Sequence, residues 1–151
     1  MDSTFYNILK HAHSGLRWVL LIVLILGIVR FFSKKANGTF ESGDKKLALF
    51  GLIFCHIQLL IGLAIYLLGD FPGLLGELGM GSKFARFFGM EHVLMMVIGI
   101  VIITFGYSSS KRMSDSKKKF SRLAWTYLIG LLLILSRIPW PFFDGLNGGW
   151  F

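Results

Sequence analysis

From Leu47 to Gly69 the chain reads LALFGLIFCHIQLLIGLAIYLLG, without one Asp, Glu, Lys or Arg. A helix needs ~20 such residues to cross ~30 Å of hydrocarbon. The run therefore predicts a membrane span, and FFGMEHVLMMVIGIVIITFGY, at 87–107, predicts another. LRWVLLIVLILGIVRFF is bounded by Arg17 and Arg30, which can snorkel towards two headgroup layers. LAWTYLIGLLLILSRIPWPFF loses helical pairing near Pro139 and Pro141. The expected spans are about 15–33, 47–69, 87–107 and 122–140. Only 16% of residues are charged, where a soluble domain carries about a quarter. No soluble domain remains once the spans are subtracted, and no internal repeat is evident. The expected fold is all-α: one transmembrane domain over residues 1–151, built as an integral membrane four-helix bundle.

The positive charges set the expected orientation. Segment 30–46 holds Arg30, Lys34, Lys35, Lys45 and Lys46, and segment 108–122 holds Lys111, Arg112, Lys117, Lys118, Lys119 and Arg122. The other side has only Lys10, Arg17, Lys83, Arg86 and Arg137. This asymmetry puts both basic loops in the cytoplasm and both termini outside. It also accounts for the net charge of +8, so no nucleic-acid partner is expected; the bilayer is the expected partner. Cys55 is the single cysteine, which excludes an internal disulfide. The first span lacks a small-residue cleavage pattern and does not read as a signal peptide. The glycine-rich stretch DFPGLLGELGMGSK, at 70–83, and the aromatic tail WPFFDGLNGGWF are expected along the outer headgroup zone.

The histidines fall in the outer half or the centre. His11 and His13 precede the first span, His92 lies ~7 Å below the outer boundary, and His56 lies near mid-membrane, about 13 Å above the inner boundary. An ionisable residue inside a membrane is by default a functional-site hypothesis. An unpaired polar group at mid-bilayer costs several kcal/mol, so His56 and Gln58 are expected to face the bundle. Glu91 points about 100° away from His92, which leaves it to be protonated, to contact Arg17 or Arg137, or to move protons.

Gly89, His92, Met96 and Gly99, spaced by three, four and three, share one helical face. A histidine flanked by glycines has clearance for a flat, bulky group such as haem. The blander account is that membrane glycines let neighbouring helices approach. His13 and Arg17 are four apart and share a face. Beside a haem at the outer side, Arg17, with Arg137 or Lys10, would pair with its propionates. Alone, Arg17 is explained by snorkelling.

HSGLRW, HIQLLIGLAIYL, EHVLMMVIGIVIITFGYSSSKR and LLLILSRIPWPF together resemble the small four-helix bacterial membrane proteins labelled cytochrome b-like. More loosely, they resemble the copper resistance protein D family. The likeness extends over nearly the whole chain. It implies an inner-membrane protein with a b-type haem held between helices by histidines, for which His13, His56 and His92 are the candidates. The cytoplasmic half offers no histidine, so one haem at most is expected rather than a transmembrane wire. Electrons would then pass to quinol or a periplasmic carrier, or within a larger complex or homodimer.

Three readings follow. The first is a haem b electron-transfer protein with His92 as one axial ligand and His56, favoured for lying well inside a helix, or His13 as the other. The second is a copper or zinc protein using His11, His13, His56 or His92 with Met90, Met95 or Met96. The third is a non-catalytic accessory subunit in which the histidines are satisfied core groups. No nucleophile–base triad, phosphate-binding glycine loop or zinc-protease motif is present.

Overall fold

The computed structural model describes residues 3–146. Its helices are α1 (Ser3–Lys34), α2 (Ser42–Leu68), α3 (Phe71–Leu78), α4 (Lys83–Arg86), a π turn (Phe87–Glu91), α5 (His92–Ser110) and α6 (Ser116–Ser136). α4, the π turn and α5 run on as one rod, so four helices are long and apolar enough to cross a membrane. The chain is an all-α, multi-pass membrane protein. Residues 147–151, the end of the aromatic tail, lie outside the described residues.

The outer surface shows what solvent these helices need. Ile22, Leu26 and Val29 of α1, Leu60 and Leu67 of α2, Val101 and Phe105 of α5, and Leu132 of α6 are all exposed. So much exposed apolar surface around a bundle matches lipid rather than water. Inside, Leu24, Phe31, Cys55, Ile103, Phe120, Leu123 and Tyr127 are fully enclosed.

Small residues fix how closely the helices approach. A Cβ on Gly130 would meet Ile103 Cγ1 at 2.5 Å and the Gly99 carbonyl oxygen at 2.9 Å, so α5 and α6 cross backbone to backbone. Gly51 of α2 leaves room for the Tyr127 ring, and the Tyr127 hydroxyl donates to the Ala48 carbonyl at 2.7 Å. This bond ties α6 to α2 within the core.

The end carrying the two basic loops is locked by polar contacts. Asp44 is fully buried; it accepts from Arg30 Nε at 2.8 Å and from the Glu41 backbone N–H at 3.0 Å, with Lys34 at 3.6 Å. The Asp44 bond to Glu41 is half of the capping box that starts α2. Ser116 accepts from the Phe40 backbone N–H at 3.1 Å, joining this loop to α6. Asp115 caps α6 by accepting from Lys118 N at 2.8 Å.

The opposite end, where α1 begins and α6 stops, has a roof. Residues 70–83 contain a short helix, α3, which the expectation of an interfacial stretch left undefined. Asp70 adopts φ 51° and caps α3 from its side chain, with Pro72 in the first turn. α6 ends at Ser136, just ahead of the two prolines that halt it.

Candidate functional site

Beneath this roof lies a cavity of about 570 Å³, bounded by α1, α2, α3, the α4–α5 rod and α6. Its size falls in the range of small-molecule and cofactor sites. The floor is apolar, made by Leu20, Leu21, Ile100 and Ile134, while Tyr6, Lys10, Arg17 and Tyr66 add polar groups to the wall. Lys10 sits over the Tyr6 ring at 5.7 Å and Arg17 over the Trp18 ring at 5.5 Å.

Two histidines line the cavity from opposite walls. His13 comes from α1 and His92 from the first turn of α5, with ring centres 6.4 Å apart and planes at 68°. His92 Nδ1 donates to the Arg137 carbonyl at 2.6 Å. A carbonyl only accepts, so the proton sits on Nδ1 and Nε2 is left as the coordinating nitrogen. This is the usual arrangement around a metal-binding imidazole. The His13 Nδ1 is buried without a hydrogen-bond partner. Gln58 Nε2 donates to the His13 carbonyl at 2.8 Å, and its own Oε1 is buried and unpartnered.

The His13 ring has room only because residue 62 is glycine. A Cβ on Gly62 would come within 3.0 Å of His13 Cε1. Gly62 was absent from the sequence-based candidates, although a signal existed. Gly51, Cys55, Gln58 and Gly62, at intervals of four, three and four, form one stripe of α2.

His92 itself is set by the π turn. Its backbone N–H bonds to the Phe87 carbonyl, five residues back, a geometry frequent at functional sites. Glu91 pairs with Arg86 at 2.8 Å and with Arg137 at 3.3 Å, so the expected contact with Arg137 is present. Arg137 thus serves His92 through its main chain and Glu91 through its side chain.

No family model, curated protein or solved structure matches this chain.

Of the sequence-derived candidates, His13, His92, Arg17 and Met96 meet in the cavity. Arg137, expected beside carboxylates of a ligand, is not among the residues lining the cavity and pairs with Glu91 instead. Three others depart from expectation. His56 does not face the bundle: it is exposed, its Nδ1 donates to the Leu52 carbonyl at 2.8 Å, and it borders a shallow groove between α2 and α5 with Val97, Thr104 and Ser108. It follows Cys55, and one residue turns it about 100° from the buried stripe. Gly89 gives no clearance for a cofactor, because its Cβ position is 2.9 Å from Leu75 Cβ and admits α3 instead. Gly99 likewise admits α6, with Gly130 O 3.1 Å from its Cβ position. Tyr66 reinforces the roof by donating to the Gly89 carbonyl at 2.8 Å. Among the described residues, no group of three or more His, Cys, Asp or Glu side chains could hold a metal ion.

Proposed function

We propose that this protein is a haem b-binding electron-transfer protein of a bacterial inner membrane, with both termini on the periplasmic side and the cofactor in the outer cavity between His13 and His92. The observation that carries this reading is the histidine pair. His13 and His92 stand 6.4 Å apart, ring centre to ring centre, in one cavity of cofactor size, and together would hold the iron of a haem. The donor chemistry agrees: His92 has its second nitrogen engaged by a carbonyl, and His13 is accommodated by Gly62. His56 faces away, so His13 replaces it as the favoured partner of His92. A two-histidine donor set suits haem iron better than a copper or zinc site that needs three or four protein ligands.

In this reading, bound haem supplies one-electron exchange, with its potential set by ligands and burial. The chain's residues do the rest. Lys10 and Arg17 present cationic groups to carboxylates on a ligand. The apolar floor excludes water and lowers the local dielectric. One redox centre near one face does not span the bilayer, so its electrons would be exchanged with a quinol or a periplasmic carrier. The basic loops lie on the cytoplasmic side by charge asymmetry.

The test is the visible spectrum of detergent-purified protein from haem-replete cells, oxidised and then dithionite-reduced, beside His13→Ala and His92→Ala variants. A Soret band that sharpens on reduction and is lost in both variants supports the reading. A colourless wild-type preparation overturns it.

A further inference from the structure

An ionic cluster at the cavity end of the bundle converges on His92. Glu91 Oε1 meets Arg86 Nε at 2.8 Å, and Glu91 Oε2 meets Arg137 Nε at 3.3 Å. Arg86 Nη1 also donates to the Met80 carbonyl at 3.0 Å, so the cluster reaches the loop behind α3. Glu91 is thereby the bridge between the α4–α5 rod and the end of α6.

The end of α6 is where such a bridge matters. Arg137 follows the last helical residue, with φ −131° and ψ 24°. Its carbonyl direction is therefore not set by helical pairing, and the short tethers around it must set it. One is its backbone N–H to Ile134 O at 3.2 Å, another is Nη1 to Ser136 O at 2.9 Å, and a third is the ion pair with Glu91. The same carbonyl accepts from His92 Nδ1 at 2.6 Å. Glu91 and His92 are adjacent in the chain, so Glu91 grips Arg137 by its side chain while His92 grips it by its main chain. Two adjacent residues, Glu91 and His92, thus close a ring through space with one residue, Arg137, at the end of α6.

We propose that Glu91 is a positioning residue for His92: by anchoring Arg137, it holds that carbonyl against Nδ1 and so fixes the ring's orientation and its Nε2-bare tautomer. What His92 then holds rests on the haem reading above, but the positioning stands on the geometry of the cluster. A carbonyl that engages the second nitrogen of a ligand imidazole orients the ring and raises its basicity, and loss of such a partner typically costs ~10–100-fold in metal affinity.

The experiment reads the His92 ring directly. Long-range ¹H–¹⁵N spectra of the histidine rings are recorded on the full chain in lipid nanodiscs, without added haem. The His92 signals are assigned by their absence in His92→Ala. Wild type should show a single tautomer with the proton on Nδ1. Glu91→Gln and Glu91→Ala should convert it to a tautomer mixture, Arg137→Gln should do the same, and Glu91→Asp should restore at least part of the wild-type pattern. Should Glu91→Ala fail to fold, the near-isosteric Glu91→Gln carries the test. A purely structural ion pair would lower the unfolding midpoint and leave the ring spectrum untouched, and that result overturns the proposal. A second arm separates the two ideas. Colourless protein whose His92 tautomer still responds to Glu91→Gln overturns the haem reading and supports positioning. Coloured protein whose ring is unmoved overturns positioning and leaves the haem reading standing.

Discussion

Replacing Gly62 with alanine adds one methyl group to the cavity wall, against the His13 ring. The new Cβ would lie 3.0 Å from His13 Cε1, whereas carbon atoms settle at ~3.5–4.0 Å. The imidazole must give way by a few tenths of an ångström, while a metal site tolerates ligand errors of only ~0.2 Å. Overpacking of this kind costs ~1–3 kcal/mol, and about 1.4 kcal/mol is tenfold in affinity. If the protein binds haem as proposed, its haem affinity should therefore fall by about tenfold or more. Fold stability should change much less, because alanine gains up to ~1 kcal/mol over glycine in a helix and offsets part of the strain. Gly15→Ala on α1 is the control: nothing lies within 4 Å of its Cβ position, so it should keep wild-type affinity. The assay is haem titration into purified apoprotein by Soret absorbance, with thermal unfolding by circular dichroism alongside. Wild-type affinity in Gly62→Ala would refute the claim that the His13 ring, held against α2, is a ligand.

Three further outcomes are expected. His56→Ala should leave cofactor content and Soret position unchanged, since His56 faces away from the cavity; loss of colour would return it to the site. Tyr127→Phe removes the buried bond to Ala48 and should cost ~0.6–1.5 kcal/mol in mixed-micelle unfolding, so an unchanged midpoint would count against that bond. Asp44→Asn weakens the contact with Arg30 and should cost ~1–3 kcal/mol. Combined with Arg30→Gln it should be clearly less than additive, and strict additivity would show that the two do not interact.

How much of this was legible follows from what hydropathy measures. It reports depth along the membrane normal, so the four spans were readable, as was the placement of His13 and His92 towards one end. It does not report azimuth. His56 was assigned to the bundle interior from depth alone, but the stripe of Gly51, Cys55, Gln58 and Gly62 points about 100° away from it. Small residues, rather than apolar ones, mark the inward face of a helix that is apolar all round. The π turn was not legible, because no residue type demands it. It inserts a five-residue step between Phe87 and His92, so α-helical spacing no longer relates Gly89 to His92 as the sequence suggested. The Arg137 carbonyl was also hidden, since a backbone acceptor leaves no mark in the sequence.

The glycines offered by the sequence as cofactor clearance still bear on the cavity, by a different route. Gly99 and Gly130 bring α5 and α6 into backbone contact at the level of the cavity floor, beside Ile100 and four residues from Ile134. Gly89 lets α3 settle against the π turn and close the roof. The floor and roof of the cavity therefore depend on where glycine permits close approach, and the two histidines stand in the space between. The basic-loop end, locked by Asp44, the capping box and the Tyr127 bond, contains no histidine. The end with the cavity is thus shaped by glycine-permitted helix contacts, while side-chain hydrogen bonds and ion pairs hold the basic-loop end, so the bundle can keep a cavity of cofactor size at one end and stay anchored at the other.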